Sequence, residues 1–294
     1  MAYTHIITST RSGASLPIIR KLRLADLKDV LAKGWDDFRE IPTHAVFLIA
    51  IYPIIGLALA AATLNYDLFP MLFPLVAGFA LIGPFAALGI YELSRLREQG
   101  GDVGWMHAFA IHRSPSFGAI AALGVLLAII FLVWLAAAQA IYVANFGYTP
   151  ATAIPDFVTR VLTTEPGWNL IIVGVGVGFL FAVTVLIISV ISFPLLLDRE
   201  LGAADALLTS VRVVIANPLV VAVWGMIVAG LLVLGSLPCF LGLTVVLPVL
   251  GHATWHLYRK AVEPEPVPRR DSSTPARRRH YAAQFPASIF AGEA

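Results

Sequence analysis

Two histidines one helical turn apart, His252 and His256, have the spacing that most directly suggests chemistry. At i and i+4 on a helix two imidazoles face the same way and can share one metal ion, and either alone can serve as an axial haem ligand. No carboxylate or cysteine stands beside them in sequence to complete a site, and the flanking Trp255 and Tyr258 suit the aromatic belt of a membrane interface. Histidines that anchor a helix end are the favoured reading, with haem or metal binding as the sharper alternative. No cofactor is expected.

A second group of polar candidates comprises Glu92 and Arg95, then Asp198, Arg199 and Glu200. Residues three apart on one helix face can pair as ions, which fits Glu92 with Arg95. Such a cluster could bind a lipid headgroup or the loop of a protein partner, although charged helix ends at a membrane surface also arise without function. Cys239 is the single cysteine, which excludes an internal disulfide and an all-cysteine metal site. Gly174, Gly176 and Gly178 lie within an apolar run and lack the strand that a phosphate loop requires; Gly174 and Gly178 instead form a small-residue pair suited to close helix approach. No Ser-His-Asp arrangement, paired catalytic carboxylates or nucleic-acid module is evident.

The elements that must position these residues follow from composition. Apolar residues make up 59% of the 294 and charged residues 13%, against roughly 45–50% and about 25% in soluble domains. The excess comes in blocks near the roughly 20 residues a helix needs to cross a bilayer. Six are read: 44–64, 68–91, 117–143, 168–197, 219–236 and 237–258. Unbroken apolar runs argue against a barrel, whose strands alternate over about ten residues, and the fourth block is long enough to tilt or project. The expected fold is therefore all-α, a polytopic membrane helix bundle. Residues 1–15 form a flexible N-terminus, 16–262 the membrane domain, and 263–294, rich in Pro, Arg and Ser, a disordered tail that can rest on anionic lipid.

Charge sets the orientation. Seven Lys and Arg precede the first span and seven follow the last; Arg95, Arg97 and Arg113 lie between spans two and three, and Arg199 and Arg212 between four and five. Only Arg160 is left for the opposite side. The asymmetry places both termini in the cytoplasm and requires an even number of spans, the first acting as its own insertion signal. All 18 carboxylates fall outside the spans or at their ends, which speaks against proton-coupled transport through a midplane acid.

Three cytoplasmic segments read as interfacial amphipathic helices that end near a proline. The first carries Leu24, Leu27, Val30, Leu31, Trp35 and Phe38 before Pro42; the second Val103, Trp105, Met106, Phe109 and Ile111 before Pro115; the third Leu207, Leu208, Val211, Val214 and Ile215 before Pro218. Each precedes an apolar hairpin, a pattern of three repeated helix-plus-hairpin units. Prolines 53, 70, 74, 84, 194 and 248 predict kinks within the spans.

The stretches GPFAALGIYELSRLREQG at 83–100, SFPLLLDRE at 192–200, ANPLVVAVWG at 216–225 and LPVLGHATWHLYR at 247–259 together resemble the DUF2189 family of bacterial predicted integral membrane proteins. The resemblance extends over about residues 16–262. It implies a bacterial inner-membrane location and no particular reaction. Some members are labelled cytochrome c oxidase subunit I, but the haem-copper catalytic subunit needs more spans and more intramembrane histidines than this chain has; His44 opens a span, and His5, His107, His112 and His280 lie outside them. The leading expectation is a non-catalytic scaffold, accessory or assembly protein that contacts lipid and a membrane protein partner, not nucleic acid. The alternatives are a small-solute transporter or channel, and a haem- or metal-binding accessory of a respiratory oxidase.

Overall fold

A computed structural model describes residues 16–41, 56–57, 69–101, 103, 114–148, 154–238 and 240–264. Among these the chain is helical, with no strand beyond an isolated antiparallel bridge between Ile19 and Val262. The first helix, α1 (Leu24–Glu40), begins where the Asp26 carboxylate accepts from the Arg23 amide at 2.8 Å, an acid placed on the exposed amides of a first turn. It buries Leu27, Val30, Gly34 and Asp37, a stripe at helical spacing.

Four runs are long and apolar enough to cross a membrane. The first joins α2 (Leu72–Ala86) to α3 (Leu88–Glu98), the second is α4 (Phe117–Phe146), the third joins α6 (Glu165–Ser189) to α7 (Ser192–Asp198), and the fourth is α9 (Pro218–Ser236). They correspond to the expected spans two to five. The expected first span, 44–64, lies outside the described residues except for the helical Gly56 and Leu57. The expected sixth, 237–258, differs: the chain turns before Leu243, and α10 (Leu243–Ala261) carries His252, His256, Arg259 and Lys260 in its second half, so it is not among the four apolar runs.

The second and third runs lie antiparallel, fastened at both ends. Ser116, ahead of α4, donates to the Arg199 carbonyl after α7 at 3.0 Å, and Asn169 near the start of α6 donates to Asn145 near the end of α4 at 2.7 Å. Between them α5 (Ile154–Thr163) is a short amphipathic helix absent from the sequence-based expectation, and it places Arg160 at the end of the bundle opposite Asp198. The remaining helix, α8 (Ala203–Ala216), is the third amphipathic segment. The second such segment lies almost wholly outside the described residues.

Two of the spans are broken rather than continuous, and the second break is chemically sealed. Pro84 lies inside α2 ahead of the break at Ala87, and Pro194 follows the break at 190–191. A backbone group freed in lipid needs a partner, and α8 supplies it: Ser210 donates to the Ile187 carbonyl at 2.7 Å, while the Ile191 amide donates back to Ser210 Oγ at 3.3 Å. Ser192 reaches the Ala206 carbonyl at 3.1 Å. The buried face of α8 is accordingly Ala206, Thr209, Ser210 and Val213, not the apolar set read in the sequence; Leu208 and Ile215 point outward.

The densest core sits at one end of the bundle. Leu88–Ser94 of α3, Ser192–Leu197 of α7 and much of 250–261 in α10 are buried, including Trp255 and Tyr258. Midway along α6, by contrast, Ile172, Val175, Phe179 and Leu180 are exposed. Lipid tails are as apolar as these side chains, so that exposure carries no hydrophobic cost in a bilayer. Of the proposed glycine pair, Gly178 abuts Trp134, 3.0 Å from where a Cβ would stand, whereas Gly174 meets nothing within 4 Å among the described residues.

Candidate functional site

The site begins with a close helix crossing. Gly34 of α1 rests on α10 so tightly that a Cβ there would lie 2.7 Å from the Ala253 nitrogen and the Val249 oxygen. One helical turn further, that contact delivers Asp37 to the histidine pair. His256 Nε2 lies 2.9 Å from Asp37 Oδ2, Ser94 Oγ of α3 donates to the same oxygen at 2.8 Å, and His252 Nδ1 is 2.6 Å from Ser94 Oγ. Arg97 Nη1 donates to the other oxygen, Oδ1, at 2.7 Å.

Proton bookkeeping follows from these contacts. With the Ser94 proton directed at Asp37, the short contact to His252 requires a proton on His252 Nδ1, which leaves Nε2 a bare acceptor. That nitrogen is buried with no hydrogen-bond partner among the described residues, and His252 is 0% exposed. Burial by itself would push the Asp37 carboxyl up; hydrogen bonds from His256 and Ser94 outweigh it and hold the group below the ordinary carboxylate range. No group of three or more His, Cys, Asp and Glu placed to hold a metal ion occurs among the described residues.

A second layer of bonds surrounds this network. Glu98 accepts from Trp255 Nε1 and Arg259 Nε, each at 3.0 Å, and Asp198 accepts from Tyr258 and, at 3.2 Å, from Arg259. Lys260 pairs with Asp26 at 2.9 Å and Asp29 at 2.8 Å, tying α10 to the first turn of α1. The approach to α1 is itself fixed: the Leu22 amide donates to Asn217 at 2.8 Å, and the Arg20 amide to the Ala261 carbonyl at 2.8 Å.

The polar cluster read in the sequence converges on one cleft. Glu92, Arg95, Asp198, Arg199 and Glu200 line a cavity of about 350 Å³ together with Ser114 and Ser116. Arg95 Nε and Nη2 both bond Glu92, at 2.8 and 2.7 Å. Arg199 donates through Nη2 to the Glu263 carbonyl, while its Nε is buried without a partner among the described residues. A separate apolar groove of about 670 Å³ runs between α2, α9 and α10, lined by residues such as Val76, Pro84, Leu232 and Leu247.

Both sets of sequence candidates thus fall at the same end of the bundle, in separate groups. His252 and His256 join through Asp37 and Ser94; the five charged residues share the cleft. Asp37, Ser94 and Arg97 are absent from the sequence candidates. For Asp37 a signal existed, since it continues the buried stripe of Leu27, Val30 and Gly34, where a charge is out of place. Ser94 carries no comparable mark.

Residues 71–198 match the DUF2189 family model, described as a predicted integral membrane protein. The DUF2189 stretch runs from the turn before α2 to the last residue of α7 and contains Glu92, Ser94, Arg95, Arg97 and Asp198. Asp37, Arg199, Glu200, His252 and His256 lie outside it. The four long apolar runs and the DUF2189 match together make this an integral membrane protein with several apolar helices. No curated protein and no solved structure matches the chain.

Proposed function

We propose that the protein is a non-catalytic, multi-pass protein of the bacterial inner membrane whose charged end faces the cytoplasm with both termini and serves as a preassembled docking platform for a membrane protein partner and for lipid. The observation that carries this reading is the pairing of the charges at that end. Asp26, Asp37, Glu98 and Asp198 each accept from a different helix than their own, so α1, α3, α7 and α10 present one fixed surface. The apolar segment 44–64 and the segment 237–258 supply the first and sixth crossings in this reading, which restores the even number demanded by the basic residues. The order of α1 and α8, each ahead of apolar chain, supports the repeated helix-plus-hairpin plan.

On the outer face of α1, Trp35 is exposed and packs with Phe38 beside Lys33, Asp36 and Arg39. Aromatic residues and arginine are the usual anchors of a protein interface. Purification of the tagged chain from native membranes, followed by mass spectrometry, should recover a companion protein in fixed ratio that is lost with Trp35→Ala. A chain that arrives with lipid alone would reject the partner half of the reading.

Two observations favour other readings. The helix breaks and the apolar groove suit a small-solute transporter; solute flux into proteoliposomes, blocked by Gly83→Leu in the groove wall, would establish it, and no flux for any tested solute would retire it. The bare Nε2 of His252 suits haem or metal held with His256. A colourless, metal-free preparation from cells grown with haem and metals would remove that alternative.

A further inference from the structure

We propose that the cleft between α3, α4 and α7 holds the headgroup of an aminophospholipid, a phosphodiester next to a primary ammonium. This deepens the docking-platform reading and rests on it. The cleft lies where the long apolar runs end at Glu98 and Asp198, so its level is the boundary between hydrocarbon and water. Its walls are apolar at Leu196, Leu197 and Pro115 and charged or hydroxyl-bearing elsewhere.

Charge accounting selects the ligand. Arg95 and Glu92 neutralise each other through two hydrogen bonds. Asp198 is taken by Tyr258 and Arg259 and is not bonded to Arg199. Two valences remain uncommitted in the lining. One is Arg199 Nε, buried without a partner, and the other is Glu200, exposed and without an ion pair among the described residues. A guanidinium edge and a carboxylate on adjacent residues match a zwitterion: phosphate oxygens accept from Arg199, and the ammonium donates to Glu200. The start of the 30-residue α4, with Ser114 and Ser116 on the cleft wall, adds the positive end of a helix dipole on the phosphate side. A purely anionic headgroup would meet Glu200 as a like charge, and a trimethylated amine offers it no N–H.

The test uses the full-length chain in detergent, titrated by native mass spectrometry with phosphatidylethanolamine, phosphatidylglycerol and, as the acyl-free source of the same chemistry, O-phosphoethanolamine. Wild type should prefer phosphatidylethanolamine over phosphatidylglycerol by about tenfold. Glu200→Gln, which breaks no hydrogen bond or ion pair among the described residues and so leaves the melting temperature unchanged, should abolish that preference while keeping phosphatidylglycerol bound. Arg199→Lys retains the charge and loses the Nε donor, and should weaken both lipids. Equal binding of the two lipids by wild type, an unchanged preference in Glu200→Gln, or displacement by O-phosphoethanolamine at lipid concentrations would overturn the proposal. Loss of lipid preference with the companion protein still recovered would reject this inference alone; a retained preference with no companion would reject only the partner half of the platform reading.

Discussion

Three elements meet at the carboxylate of Asp37: α3 through Ser94 and Arg97, α10 through His256, and α1 itself. Removing the charge while keeping the shape, as in Asp37→Asn, leaves Arg97 and His256 without an anion. Hydrogen bonds to charged groups contribute about 1.5–3 kcal/mol each before solvent screening, and Arg97 is partly exposed, so a net loss of roughly 2 kcal/mol is expected. Thermal unfolding in detergent should show the lower melting temperature; an unchanged value would mean that α1 is held by apolar contact alone.

The same residues set a pH window. Asp26 is lowered by the Arg23 amide and by Lys260, Asp29 by Lys260, and Asp37 by its partners against the pull of burial; Lys260 is raised by Asp29 and Asp26. An acid lowered in the folded chain stabilises it above the unfolded value, about 3.9 for aspartate, and that stability is lost as pH falls through the folded value. A lysine raised in the folded chain stabilises it below about 10.4 and ceases to do so as pH rises past its folded value. His252, fully buried, takes up a proton at about pH 6.5 once released, so attachment of α1 should be constant only from about pH 7 to 9 and weaken on both sides, as read by protease cleavage between α1 and the bundle. Weakening that began between those limits would contradict this assignment of charges. Of these residues the sequence exposed the histidine pair, because i and i+4 spacing is local; Asp37 and Ser94 lie 57 positions apart and meet only once α1 crosses α10.

At the level of elements, the break at 190–191 depends on α8. Ser210→Ala removes the donor to the Ile187 carbonyl and the acceptor for the Ile191 amide at once. Leaving buried backbone groups unpaired costs about 1–3 kcal/mol, so the melting temperature should fall clearly, while Leu208→Ser on the outward face should change it little. Equal effects would show that the small polar face of α8 does not seal the break. Apolar run length made the four long spans legible, and spacing made α1 and α8 legible. Their inward faces were not: periodicity locates an apolar stripe, but in a membrane protein that stripe need not face the core, and Leu208 and Ile215 are exposed. The α5 helix was legible in principle, since Phe157, Val161 and Arg160 with Asp156 in the first turn have helical spacing, but it falls between two long runs that draw the reading away. The break at 190–191 left only Pro194 as a mark, and no mark of the serines that seal it.

For the whole molecule, the unusual property is where rigidity resides. A membrane bundle is ordinarily packed along its spans, yet here many of the most completely buried side chains, Trp255, Tyr258, Phe193 and Leu93 among them, gather at the charged end. Composition showed that the chain needs a bilayer, and the basic residues showed which end differs. That this end is also the packed core was not legible, because it depends on long-range bonds between segments such as Lys21 and the Ala216 carbonyl, 195 residues apart. The most direct test compares hydrogen exchange at two amphipathic helices, α1 at the charged end and α5 at the other. The account predicts slow exchange across 24–40, abolished by Asp37→Asn, against rapid exchange across 154–163 in both proteins. Equal exchange in the two helices of the wild-type chain would contradict it, and would mean that α1 lies on the membrane surface rather than forming part of a fixed platform.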